Sequence, residues 1–458
     1  MGKDSKNHMH NLSVNLAGVK LRTPVGVGPI GSPPVRREQL TMDVYAEIFF
    51  KHIHEGAGFI CLPHTIHVPD SLLRDLGKRA RPLPARKNLP RPMIFFKTDE
   101  RASMNSLPPG GGTVQGAAGA FLHTTAGLIK KLREKKPKDI PLIANVGGLG
   151  FFVETFVAGA MAHEEAGVDL IELNLATPAS AQTELDQCVE GYLERDFPLY
   201  PPGLFLGDEF NLVERVVREV SRAVSIPVGV KISPETGFPR VIELARRIRD
   251  SGGKFITCSN MAITATAPDI YCKGKTVWPH LDGSPLAAIG GDWLRPITYK
   301  QIACIARFVP GIDIIGCGGI SKPEHVVESI MLGAKAVEMV SPILFQGRKL
   351  LGRDVSFLES YMSDQGYSSI DEFRGIGLKH IKPANELHFI HEGKQLFAQV
   401  DPAKCKGCGI CADSICLAIS MKNGLAKVNN ELCIACGMCV AVCPSKAIVI
   451  VVKEKDGS

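Results

Sequence analysis

Short apolar runs rich in Val, Ile and Ala alternate with longer stretches of helical period from about Pro24 to Pro342. That is the pattern of strands buried on both faces and covered by helices. Eight such runs can be counted: Pro24–Ile30, Gly58–Thr65, Pro141–Gly148, Leu170–Ala176, Pro227–Ile232, Lys254–Asn260, Asp313–Gly319 and Ala336–Pro342. Between them the helical period is plain at Glu154–Ala166, Leu212–Val224, Val241–Ser251 and Lys322–Leu332. Alternating strand and helix predicts a parallel sheet, and eight repeats predict closure into a (β/α)8 TIM barrel, an α/β fold whose chemistry sits at the C-terminal strand ends. Ahead of the first strand, Leu12–Leu21 reads as a hairpin turning at Ala17–Gly18, placed to floor the barrel.

Three long insertions interrupt the repeat: His67–Gly119, Ala179–Leu206 and Ala262–Pro296. Each follows a strand's C-terminal end, where long loops without secondary structure usually serve as lids or binding loops; the plain alternative is surface decoration. The expected organisation is a barrel over 12–346, a mixed helical connector over 347–397 and a small ferredoxin-like domain over 398–453.

Composition narrows the function classes. With 45% hydrophobic and 22% charged residues, the chain matches an average globular protein with a sizeable core. A net charge of +6 over 458 residues, with basic clusters only at Lys78–Lys87 and Lys130–Lys138, gives no reason to expect nucleic-acid binding. Met1–Asn11 is polar and no run of about 18 apolar residues occurs, so a soluble, cytoplasmic protein with no membrane contact is expected.

Fourteen cysteines make little sense as disulfides in a reducing compartment, and eight of them crowd into the last 54 residues. Cys433-x2-Cys436-x2-Cys439-x3-Cys443-Pro444 is the bacterial ferredoxin run; an approximate copy, Cys405-x2-Cys408-x2-Cys411-x4-Cys416, begins 28 residues earlier. Three closely spaced thiolates reach one cube while the fourth crosses to the other. The expected sets for two [4Fe-4S] clusters are therefore Cys405, Cys408, Cys411 with Cys443, and Cys433, Cys436, Cys439 with Cys416. Paired CxxC motifs also suit zinc, a reading that two triple-spaced runs and a terminal Cys-Pro disfavour. Ile419–Val428, turning at Asn423–Gly424, supplies the hairpin between the copies.

The barrel carries its own candidates. Gly318 and Gly319 close strand 7 ahead of a helix, and Val340–Ser341 close strand 8, where barrel enzymes usually bind phosphate. Lys231 closes strand 5; a lysine there either meets an anion or snorkels to the rim. Asn174 and Asn260 end strands 4 and 6, positions that suit pairing with a planar heterocycle or satisfied core amides.

The order Asn174-Leu-Ala-Thr-Pro178, Lys231, Asn260, Leu294-Arg295-Pro296, Gly318-Gly319 and a two-cluster tail resembles the C-terminal region of dihydropyrimidine dehydrogenases, itself similar to dihydroorotate dehydrogenases, from about Leu12 to Val452. The resemblance implies an FMN-binding barrel in which Lys231 faces the flavin, Gly318 and Gly319 the phosphate, and Asn174 and Asn260 the flavin or substrate. It adds Gly28, Gly290, Val340 and Ser341 to the cofactor contacts, and makes Thr177 the acid/base in place of the family's Cys or Ser. The family's strand-2 lysine is missing, and His64 stands where it would be. The asparagine motif that holds a pyrimidine has no match; Arg91–Phe96 lies nearby instead.

The expected activity is reduction or formation of a C=C bond next to a carbonyl, possible in either direction, in a small cyclic substrate. Electrons pass through the clusters to or from an NAD(P)H-oxidising flavoprotein subunit or a ferredoxin, because the chain has no second nucleotide fingerprint. A homodimer or hetero-oligomer is implied by resemblance. The rival readings are a dihydroorotate dehydrogenase-like enzyme running oxidatively, an electron-transfer subunit with a scaffold barrel, and a flavin-free phosphate-binding barrel.

Overall fold

The computed structural model describes residues 11–30, 41–67, 93–96, 102–105, 125–135, 137–148, 152–175, 207, 209–264, 268–275, 287–388, 391 and 394–454. The chain divides into two compact units, 1–379 and 380–458.

In the first unit the elements run β1 (Val14–Leu16), β2 (Val19–Leu21), β3 (Val25–Val27), α1 (Met42–His54), β4 (Ile60–Cys61), β5 (Thr65–Ile66), β6 (Met93–Phe96) and β7 (Ala102–Asn105). They continue with helix α2 over residues 125–135, then β8 (Leu142–Gly147), α3 (Val153–Ala166), β9 (Leu170–Asn174), α4 (Phe210–Ala223), β10 (Val228–Ile232), α5 (Arg240–Asp250) and β11 (Phe255–Cys258). After these come β12 (Ala262–Thr264), β13 (Ala287–Gly291), α6 (Arg295–Phe308), β14 (Asp313–Cys317), α7 (Pro323–Met331), β15 (Ala336–Met339), α8 (Ser341–Gln346) and α9 (Leu350–Gln365).

The parallel order β4-β3-β15-β14-β11-β10-β9-β8-β5 closes on itself through the Ile60–Leu142 pairing of β4 with β8. This is the expected eight-stranded barrel. The one local correction is strand 2, read as continuous over Gly58–Thr65 but split into β4 and β5. Pro63 lies at the break and has no N–H to give the ladder.

The strands are near-continuous Val/Ile/Leu runs because helices cover one face and the barrel core the other; β8, β9, β10 and β11 are buried at every residue. Helix α4 shows the matching pattern from outside, burying Leu212, Val213, Val216, Val217 and Val220 at helical spacing. The β1–β2 hairpin turns at Ala17 and Gly18, both at positive φ, as a two-residue turn of this kind requires. Its Ala17 amide donates to Asp313 Oδ2 at 2.7 Å, at the start of β14, so it lies at the N-terminal end of the barrel.

Two of the insertions are not wholly loops. β12, β13, β7 and β6 form one four-stranded antiparallel sheet, joining the segment after strand 2 to the segment after strand 6. The insertion over 179–206 lies outside the described residues. Among those described, no helix is long and apolar enough to cross a membrane.

The second unit contains β16 (Lys394–Val400), β17 (Ile419–Lys422), β18 (Leu425–Val428), α10 (Met438–Val442) and β19 (Ile448–Glu454). β16 pairs with β19 and β17 with β18, the latter turning at Asn423 and Gly424, both at positive φ. Its small core is Ala398, Cys411, Ile419, Ala426, Cys439 and Ile448, so cysteines replace part of the apolar interior.

Candidate active site and cluster-binding cysteines

Inside the C-terminal half of the barrel lies a buried group of charged and amide side chains. Glu172 and Asn174, two apart on β9, share one face of the strand, and Lys231 on β10 is registered against Asn174. Glu172 is fully buried and satisfied on both oxygens: Asn145 Nδ2 donates to Oε1 and Thr257 Oγ1 to Oε2, each at 2.5 Å, with Cys61 Sγ at 3.6 Å. A carboxylate only accepts, so Asn145 must present its amide there and turn its carbonyl the other way.

That choice orients the rest of the network. Asn145 Oδ1 accepts from Asn174 Nδ2 at 3.1 Å, and Asn174 Oδ1 accepts from Asn260 Nδ2 at 3.1 Å. His64 Nδ1 lies 2.7 Å from the same Asn145 carbonyl, which fixes the proton on Nδ1 and leaves the lone pair on Nε2. Burial lowers the pKa of His64 and keeps the ring neutral. Its Nε2 is sealed from solvent and meets no donor among the described residues.

Lys231 is 3% exposed and forms a short ion pair with Glu338 of β15, with Glu172 Oε1 4.0 Å away. Burial opposes its charge, but the Glu338 and Glu172 carboxylates hold the ammonium well above the ordinary lysine value. Glu338 is pushed up, first by burial and then by Glu172, against the pull of Lys231. Its Oε2 has no hydrogen-bond partner among the described residues.

The remaining expected residues fall around the same end of the barrel. The Gly28 amide donates to Met339 O at 3.0 Å, and a Cβ on Gly28 would stand 2.7 Å from Val340 and 3.4 Å from the Glu338 carboxyl. A Cβ on Gly290 would stand 3.3 Å from Ser341 Oγ. Gly318 and Gly319 have positive φ, and their bare Cα atoms admit the start of α6: a Cβ on Gly319 would meet Arg295 N at 2.4 Å and one on Gly318 would meet Thr298 Oγ1 at 2.8 Å. At the start of α7 the Ser321 and Lys322 amides donate to His325 Nδ1 at 3.2 and 3.3 Å, so the helix caps itself. Thr177 lies outside the described residues, as do Arg91 and Pro92 of the nearby Arg91–Phe96 segment.

Sequence reasoning brought His64, Asn174, Asn260 and Lys231 to the site but missed Asn145, Glu172, Thr257 and Glu338. Two of these had a readable signal. A glutamate inside a fully apolar strand, as at Leu-Ile-Glu172-Leu and Ala-Val-Glu338-Met, cannot remain charged without partners.

In the second unit, Cys405, Cys408, Cys411 and Cys443 line one cavity together with Pro444 and Ala447. The Cys411 thiol is pushed up by burial and by Cys443, Cys405 and Cys408, and the Cys439 thiol by burial and by Cys433 and Cys416. Cys443 thus lies with Cys405, Cys408 and Cys411, and Cys416 with Cys433 and Cys439. Cys436 is exposed.

Residues 198–362 match the family "Dihydroorotate dehydrogenase" and residues 426–449 match "4Fe-4S binding domain". The dihydroorotate dehydrogenase B (NAD(+)) catalytic subunit of Methanothermobacter thermautotrophicus is 28% identical over 53% of this chain and 70% of its own length. The NAD-dependent dihydropyrimidine dehydrogenase subunit PreA of Escherichia coli is 26% identical over 63% of this chain and 65% of its own length. The catalytic subunit from Thermoplasma volcanium is 28% identical over 52% and 69%. The first family match implies a flavin, and the second binding of a 4Fe-4S cluster. The chain is accordingly an oxidoreductase with a TIM barrel that is similar over residues 198–362 to dihydroorotate dehydrogenases and with a 4Fe-4S binding motif in its tail.

Proposed function

We propose that this protein is an FMN-dependent oxidoreductase acting on the C=C or CH–CH bond next to a carbonyl in a pyrimidine-like ring, with two [4Fe-4S] clusters carrying electrons to or from a partner. The observation that carries the reading is the aligned amide relay Asn260–Asn174–Asn145, anchored on Glu172 and ending beside the sealed His64 Nε2. A barrel that served only as scaffold has no use for so many oriented polar groups at one end.

The chemistry supplied by bound FMN is hydride exchange with a substrate carbon and single-electron exchange with the clusters. Gly28, Gly290, Val340 and Ser341 would line the flavin site, where the two glycines pack so closely that a Cβ would meet Val340 at 2.7 Å and Met261 at 3.1 Å. The polar groups that fit the ring are the buried Lys231 ammonium and the sealed His64 Nε2. Gly318, Gly319 and the Val340–Ser341 turn would take the phosphate; the Ser321 and Lys322 amides just ahead of α7 are already given to His325 Nδ1. Lys231 and Asn260 would face the heterocycle. His64, neutral and with a lone pair on Nε2, would accept an N–H, the group that both a flavin and a pyrimidine-like imide offer. Thr177 would hand a proton to or from the substrate carbon.

The barrel over 12–346 would hold the flavin and the tail over 398–453 the clusters. The partner is a nucleotide-oxidising flavoprotein subunit or a ferredoxin, with the relatives' names in support of the former. Anaerobic purification with iron counted against released flavin tests the core: about eight irons and one FMN per chain are expected. Iron without flavin would leave an electron-transfer subunit as the account. Turnover of dihydropyrimidines against a redox dye then tests the substrate class.

A further inference from the structure

Glu172, Lys231 and Glu338 place two carboxylates and one ammonium inside the barrel at 0, 3 and 1% exposure. Fully ionised, the group carries one uncompensated negative charge, which a buried site tolerates poorly. The two carboxylates are not equivalent. Glu172 is held on both oxygens by Asn145 and Thr257, whereas Glu338 meets Lys231 through Oε1 and leaves Oε2 without a hydrogen-bond partner among the described residues. The titratable groups facing Glu338 are Glu172 on β9, Lys231 on β10, Cys317 on β14 and Cys61 on β4. The two thiols are buried and held protonated by that burial, so they neither supply nor accept charge in the neutral range.

We propose that Glu338 is the proton partner of Lys231: when negative charge arrives beside Lys231, the ammonium turns to it and Glu338 takes up one proton. The buried group then keeps a constant net charge. This rests on the flavin reading, in which the arriving charge is that of the reduced ring. In full, two electrons from the reductant and one proton from solvent go to the ring, and a second proton from solvent goes to the Glu338 carboxylate. No bond within the protein breaks, and only the Lys231–Glu338 ion pair is exchanged.

The test is the flavin midpoint potential of the full-length, cluster-loaded protein and of Glu338→Gln, titrated with dithionite from about pH 6 to 9. Each proton taken up with two electrons changes the equilibrium tenfold per pH unit, about 30 mV. The wild-type slope is expected to reach about 60 mV per pH unit above neutrality, while E338Q, whose amide cannot take the proton, stays near 30 mV throughout. Redox-difference infrared spectra should carry a protonated-carboxyl band in the wild type that E338Q lacks. Equal slopes with flavin bound overturn the proposal. If E338Q fails to retain flavin, the wild-type infrared band decides alone, and its absence overturns the proposal. A wild-type chain that binds no flavin overturns the functional reading instead, and this inference with it.

Discussion

Asn145 donates its side-chain amide to Glu172 at 2.5 Å, and through that one bond the carboxylate sets the direction of every amide up to Asn260. Replacing Asn145 with Ala removes a donor from a buried carboxylate and the acceptor that holds His64. A loss of about 1–3 kcal/mol is expected, read as a lowered urea midpoint of the purified protein. Asn260→Ala, at the outer end of the relay, should cost clearly less, because it leaves Glu172 fully satisfied.

The buried charges make a sharper prediction. Lys231→Met leaves Glu172 and Glu338 together without a counter-ion and should destabilise by about 3–5 kcal/mol at neutral pH. Adding Glu338→Gln removes the second charge, so the double variant should recover a large part of that loss. A measured coupling energy near zero would mean that Lys231 and Glu338 do not act as a pair.

The pH dependence has a definite sign. Glu338 has its pKa raised in the folded state, first by burial and then by Glu172. Between the ordinary glutamate value of about 4.3 and the raised folded value, the native protein binds more protons than the unfolded chain, so this group's contribution falls as pH rises. The stability difference between wild type and E338Q should therefore shift against the wild type from about pH 4 towards neutrality. Denaturant melts at matched ionic strength measure it.

The sequence carried the barrel well and the interior charges poorly, and the reasons are physical. Strands such as Val228–Ile232 are legible because burial on both faces demands an unbroken apolar run. Asn423–Gly424 is legible because such a pair takes two successive positive φ angles cheaply, whereas Ala17–Gly18 is legible through its glycine alone, Ala17 holding its positive φ at a cost. Asn145 could not be singled out, since its role depends on Glu172 from the next strand. Gly318 and Gly319 were read as a phosphate loop, while the structure supplies a further reason for them: the backbone of Arg295 passes where a Cβ would be.

That reason separates two kinds of glycine. Gly319→Ala places a methyl 2.4 Å from Arg295 N at a positive φ, and should cost more than about 2 kcal/mol or prevent folding. Gly18→Ala has the same sign of φ but nothing within 4 Å, and should cost only about 1 kcal/mol. Thermal unfolding of the two variants distinguishes steric conflict from backbone strain.

Crossed ligation in the tail can be tested by pairs of substitutions. If Cys443 completes the set of Cys405, Cys408 and Cys411, then Cys405→Ser and Cys443→Ser injure the same cluster, and the double variant should retain about four irons per chain. Cys433→Ser with Cys443→Ser strikes both sets and should leave almost no iron. Sequential ligation, with Cys443 closing its own run, predicts the reverse pairing: the second double variant would keep one cluster and the first would lose both. Iron counting with low-temperature EPR of the reduced proteins decides between them, since the retained cluster should show a single, uncoupled spectrum.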